Sequence, residues 1–168
     1  MLMKIIFNRK PALLLIFFLT AGFIPGASAQ QKFEKAAFYN VMDNGDLDAI
    51  NNEIETVKAS SSPNKEGYEG ALLMRKADKL PIPTQKLKYF KKGRIKLETA
   101  LINDNDNAEY HFLRLAIEEH APKIVKYHND IEKDKAIVIK NFKNLPEPVQ
   151  QAIRDYSKKS KVLRAEDL

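Results

Sequence analysis

Pro83–Asn103 (PTQKLKYFKKGRIKLETALIN) is the stretch that decides the fold. Leu87, Phe90, Leu97 and Leu101 recur at helical spacing, and Lys88, Lys92 and Lys96 fall at i, i+4 and i+8 on the opposite side. Pro83 suits the first turn of a helix, where a missing N–H costs nothing. Asp104-Asn105-Asp106-Asn107 follows as a cluster of turn and cap residues. Ile95 and Ile102 lie on another side of the same wheel, which predicts contacts with more than one neighbour.

Outward from this helix the same period continues. Upstream, a short helix spans Phe33 to Met42, and Gly45 supplies a turn before the N-cap candidate Asp46. Leu47, Ile50, Ile54 and Val57 then mark one helical face. Ser60–Asn64 reads as a loop, and Gly70, Leu73, Ala77 and Leu80 form the next stripe, closed by Pro81. The small residues Gly70, Ala71 and Ala77 allow a neighbouring helix to come close. Downstream, Ala108–His120 turns Phe112, Leu113, Ala116 and Ile117 inward, and Pro122 breaks the chain. Asn129 with Glu132 predicts a capping box before a helix carrying Ile131, Lys135, Val138 and Phe142. Pro146 and Pro148 open a last helix with Val149, Ile153 and Tyr156. About seven helices and no convincing strand result. The fold class is all-α, an irregular antiparallel stack or bundle of α-hairpins, because short loops favour antiparallel neighbours.

One junction resembles a known repeat. Gly93-x-x-x-Leu97-x-x-Ala100-Leu101-x-x-Asp104, with the turn Asn105–Glu109, is similar to the second helix and inter-repeat turn of tetratricopeptide repeats. Asn105 stands where that family usually has proline, and no clean second copy lies one period away. The resemblance implies helix-hairpin packing and a surface for a protein or peptide.

The N-terminus carries a different message. Lys4, Arg9 and Lys10 precede the 13-residue apolar run Ala12–Ile24, followed by Pro25-Gly26-Ala27-Ser28-Ala29. A charged start, a short apolar stretch and an A-x-A triplet are the parts of a secretory signal peptide, with cleavage expected after Ala29. The run is short of the roughly 20 residues a spanning helix needs, so no stable membrane anchor is expected after cleavage. The division is thus 1–29 signal peptide and 30–168 a single helical domain, with a periplasmic or secreted destination. Without residues 1–29 the chain has 25 bases and 22 acids, so the pI of 9.3 belongs partly to the leader and no nucleic-acid partner is expected. Zero cysteine excludes disulfides, thiol catalysis and Cys-ligated zinc.

Candidate chemistry is sparse. His111 and His120 fall on opposite sides of one helix, and Glu118-Glu119-His120 lacks the second imidazole of H-E-x-x-H. His111 and Glu118 share a face but have no third ligand in reach of sequence reasoning. The acidic runs Asp43–Asp48 and Asp104–Asn107 begin like calcium loops without completing one, so caps are the better reading. No metal site, no cofactor and no catalytic residue is assigned: G-x-S-x-G, Gly-rich phosphate loops and a Ser–His pair are all missing. The basic stretch Lys86–Lys96 interleaves cations with Tyr89 and Phe90, as nucleic-acid and anionic-membrane surfaces do, but a solvated helix face explains it.

Arg94 and Arg114 are the exceptions. Each falls beside apolar stripe residues and has a carboxylate at i+4, Glu98 and Glu118 respectively. They are either structural ion pairs or, with Tyr110 and His111, the border of a groove that receives an anionic group or a peptide carboxylate. The expected function is an exported interaction module binding a protein or peptide in the cell envelope. The alternative is a small-ligand-binding helical protein or an enzyme acting on a cell-envelope molecule.

Overall fold

The computed structural model describes residues 32–168, so the signal peptide and its cleavage after Ala29 lie outside the described residues. Seven α-helices follow in order: α1 (Lys35–Asn44), α2 (Leu47–Ala59), α3 (Lys65–Lys79), α4 (Pro83–Asn103), α5 (Ala108–His120), α6 (Ile131–Asn141) and α7 (Glu147–Ser157). There is no strand among the described residues. Short 3₁₀ turns stand at Lys123–Val125 after the Pro122 break, at Phe142–Asn144 before α7 and at Ala165–Asp167 after it.

The boundaries follow local chemistry. Asp46 caps α2 by accepting the Ala49 N–H at 2.8 Å. Asn107 caps α5, its side-chain oxygen accepting from Glu109 and Tyr110 N–H. α1 starts two residues later than its apolar pattern suggests. Phe33 precedes the helix and packs its ring on Phe38 and Tyr68 instead. The expected Asn129–Glu132 capping box does not form: the N-cap is Asp130, and its N–H is taken by Glu118 of α5. A tertiary partner replaces the local one.

The α3–α4 hairpin is the tightest pairing, and two glycines make it. A Cβ on Gly93 would lie 2.5 Å from the Gly70 carbonyl oxygen and 2.8 Å from Met74 N. The two backbones touch, which fixes the antiparallel register that also sets Lys96 against Glu66 and Glu69. A Cβ on Gly67 would strike the Tyr110 ring, so α5 lays a side chain directly on the α3 backbone at that end. Leu72, Leu97, Leu113 and Leu115 fill the centre, with Ile50 from α2 and Ile153 from α7. Ile95 and Ile102 do not reach a second neighbour. Both are exposed, as is Leu87 in part, because α4 packs along one side only. The buried positions of α6 are Asp134 and Val138, so its inward face is turned one residue from the Ile131–Lys135 stripe.

Candidate functional site

α5 divides the molecule into two chemically opposite regions. On one side the buried side chains are charged. Arg114 is 5 % exposed and grips Asp134 of α6 with two bonds, Nε–H to Oδ2 at 2.8 Å and Nη2–H to Oδ1 at 2.7 Å. Its third arm, Nη1–H, donates to Glu98 of α4 at 3.0 Å. His111, 1 % exposed, sets Nδ1 2.6 Å from Asp134 Oδ1 and Nε2 2.8 Å from the Asn105 carbonyl. Tyr127 donates its hydroxyl to the other oxygen of Glu98, which pushes the phenol pKa up after burial has already raised it. The carboxylates around Arg114 outweigh its desolvation and hold its pKa above the ordinary value, so the guanidinium stays charged.

Glu118 sits next to this cluster with no exposed surface. One carboxylate oxygen accepts from Asp130 N–H and the other has no partner, and burial raises its pKa. Among the described residues no three His, Asp or Glu side chains are arranged to hold a metal ion.

The four groove residues expected from sequence are therefore not brought together on an open surface. Arg114 and His111 are consumed by Asp134. Tyr110 is buried against Gly67, its hydroxyl pKa pushed up to about 12 by burial and the nearby acids. Arg94 is exposed and lies over the Tyr127 ring at 4.7 Å, while the Glu98 expected beside it turns to Arg114. Asp134 was the missing partner. An acid between Ile131 and Val138, on the inward face of a neighbouring helix, was the signal that an arginine in one stripe answers an aspartate in another.

On the other side of α5 the surface is apolar and open. A cleft of about 970 Å³ lies between α1, α5, α7, the end of α3 and the first half of α4. Phe90, Phe112 and Leu113 form its floor, and Ala36, Ala116 and Ala152 line its walls, so the void is the space that larger side chains would have filled. Ala116 and Ile117, expected to face inward, face this cleft and are half-buried. Polar groups at the rim are paired with one another. Lys159, just after α7, bonds Asp43 of α1 across the cleft's end. Arg75 donates to Asp78 and to the Asp43 carbonyl, both at 2.9 Å. Tyr39 donates to Glu109 and Tyr156 to Glu119, and burial with those carboxylates raises both phenol pKa values. Among the described residues at this rim, the Arg75 Nε–H is buried without a partner. Nothing in the sequence patterns pointed to the cleft, because alanines on three separate elements carry no local signature.

No protein-family model, curated protein or solved structure matches the chain.

Proposed function

We propose that this chain is an exported helical interaction module whose α1/α5/α7 cleft seats an apolar face of a protein or peptide partner in the cell envelope. The cleft is the observation that carries the reading. A site of this size with an apolar floor gains from burying apolar side chains, at roughly 25 cal/mol per Å² removed from water. Its rim charges already satisfy each other, so they favour a partner that brings apolar groups rather than a charged head. An amphipathic helix presenting residues at i, i+3, i+4 and i+7 fits that requirement. The hairpin contact at Gly70 and Gly93 supports a tetratricopeptide-like relationship between α3 and α4. The leader at residues 1–29 supports export to the periplasm or beyond, and among the described residues no helix is long and apolar enough to cross a membrane.

A second reading, an apolar small molecule, has one observation in its favour. The unpartnered Arg75 Nε–H at the rim offers a donor to a single carbonyl or carboxylate oxygen. A photo-crosslinking residue placed at Ala152 separates the two in living cells. A peptide adduct that disappears in the Ala116→Phe background supports the partner reading. Protein isolated with an apolar small molecule bound, lost in the same background, supports the second. Crosslinks that ignore Ala116→Phe sink both.

A further inference from the structure

α4 carries a second surface, independent of the cleft reading. Between Lys79 and Leu97 the sequence has six cations and no acid. Two of these cations are engaged: Lys96 pairs with Glu66 and Glu69, and Lys86 donates to the Asp78 carbonyl. Lys88, Lys91 and Arg94 have no carboxylate within salt-bridge distance among the described residues. They share the solvent arc of α4 with Leu87 and Ile95, which are 45 % and 67 % exposed. Leu87, Lys91 and Ile95 follow at i, i+4 and i+8, a line about 12 Å long. The 3₁₀ turn after α5 adds to it. Ile124, 88 % exposed, stands between Lys123 and Lys126, and Tyr127 ties that turn to α4 by packing on Phe90 and under Arg94.

We propose that this face of α4, with the Lys123–Lys126 turn, docks on the surface of a bilayer containing anionic phospholipid. Leu87, Ile95 and Ile124 enter the boundary of the acyl region, and Lys88, Lys91, Arg94, Lys123 and Lys126 meet headgroup phosphates. Charge complementarity selects this occupant. A second copy of the chain would bring the same unpaired cations against each other, and Glu98, the acid on the arc, is already bound by Arg114 and Tyr127. A nucleic acid would gain nothing from aliphatic tips, since its bases need flat stacking partners. Tyr89, the ring nearest to hand, is half-buried under Lys76. The acids that follow α4, Asp104 and Asp106, set the limit of the face.

Sedimentation of the full chain with phosphatidylcholine vesicles, with and without phosphatidylglycerol, tests this. The apolar leader contributes equally to every variant, so the difference between variants is the readout. Lys88→Gln/Lys91→Gln/Arg94→Gln should lower partitioning onto the anionic vesicles at least about tenfold and flatten its salt dependence. Leu87→Asn/Ile95→Asn should lower it at least about tenfold while keeping the salt dependence. The control Lys133→Gln/Lys140→Gln/Lys143→Gln removes three exposed cations from the α6 region and should leave partitioning nearly unchanged. All these positions are exposed, so helical circular dichroism and melting should stay at the parent values. Equal losses in the control, or none in either α4 variant, overturn the proposal. So does a dimer, seen by analytical ultracentrifugation, that Ile95→Asn dissolves, or capture of duplex RNA in preference to the anionic vesicles.

Discussion

The two sides of α5 are built by opposite rules. Toward α6, Arg114, His111 and Asp134 are buried and satisfied, Arg114 and His111 both bonding Asp134 and completing their bonds at Glu98 and the Asn105 carbonyl. Toward α1 and α7, Ala116 and Ile117 face a cleft that no side chain of the described residues fills. The same thirteen-residue helix thus presents closed charges on one face and open apolar surface on the other. Buried charge signals how the bundle is locked, and unfilled apolar space signals where something else belongs.

The largest effect should come from unlocking the charged side. Asp134→Ala leaves Arg114 and His111 buried without their shared acceptor, and breaking such a pair costs about 3–5 kcal/mol. Urea denaturation should show that loss, and soluble yield should fall. Arg114→Met keeps most of the volume, and combining it with Asp134→Leu should restore part of the stability, since matched apolar groups tolerate burial that an orphaned ion does not. A loss under about 1 kcal/mol for Asp134→Ala would break the comparison, because the charged side would then not be what locks α6 to α5. Gly93→Ala comes next. Its Cβ would meet backbone atoms of Gly70 and Met74 that cannot swing aside, for a loss of about 1–3 kcal/mol by thermal melting.

Helix existence was legible in the sequence because it is a one-dimensional signal. α2, α4 and α5 fall where their stripes and caps put them, with Asp46 capping α2 and Asn107 capping α5. The site was not legible in the same way. The arginine that looked structural or functional by local spacing, Arg114, is tied through 20 residues of chain to Asp134, not to Glu118 at i+4. Glu98, assigned by spacing to Arg94, crosses to α5 instead. An i+4 carboxylate contributes only about 0.2–0.5 kcal/mol, so a buried bidentate partner from another helix wins easily. Gly93 was legible only as a small residue in a helical stripe, and its role became visible through its contact with the Gly70 backbone of the neighbouring helix.

A smaller effect sharpens the contrast between satisfied and unsatisfied burial. Glu53 of α2 is buried, one of its oxygens has no partner, and burial raises its pKa above the ordinary 4.5. Between that value and the raised one the native state holds more protons than the unfolded chain, so stability falls as pH rises through the window. Glu53→Gln removes the penalty. It should stabilise the protein by about 1 kcal/mol near pH 7 and by almost nothing below about pH 4, measured as the difference in melting between variant and parent. A gain independent of pH would mean that the carboxyl is not the group responsible.

The smallest expected effect on stability is at the cleft, and there the smallness is the point. Ala152→Phe adds a ring to a wall that borders about 970 Å³ of unfilled space, so no backbone or core side chain has to move. Overpacking normally costs about 1–3 kcal/mol because a dense interior cannot yield. Here the change should stay within about 0.5 kcal/mol, and a slight gain is reasonable, since the ring buries its own apolar surface against Phe112 and Ile117. Binding of a hydrophobic fluorescent dye to the native protein should fall at the same time, because the dye and the ring compete for one volume. A loss of stability like that of Gly93→Ala would show that the cleft closes in solution and that both sides of α5 are packed alike. Unchanged stability with unchanged dye binding would place the dye elsewhere and remove the cleft as the surface left open for a partner.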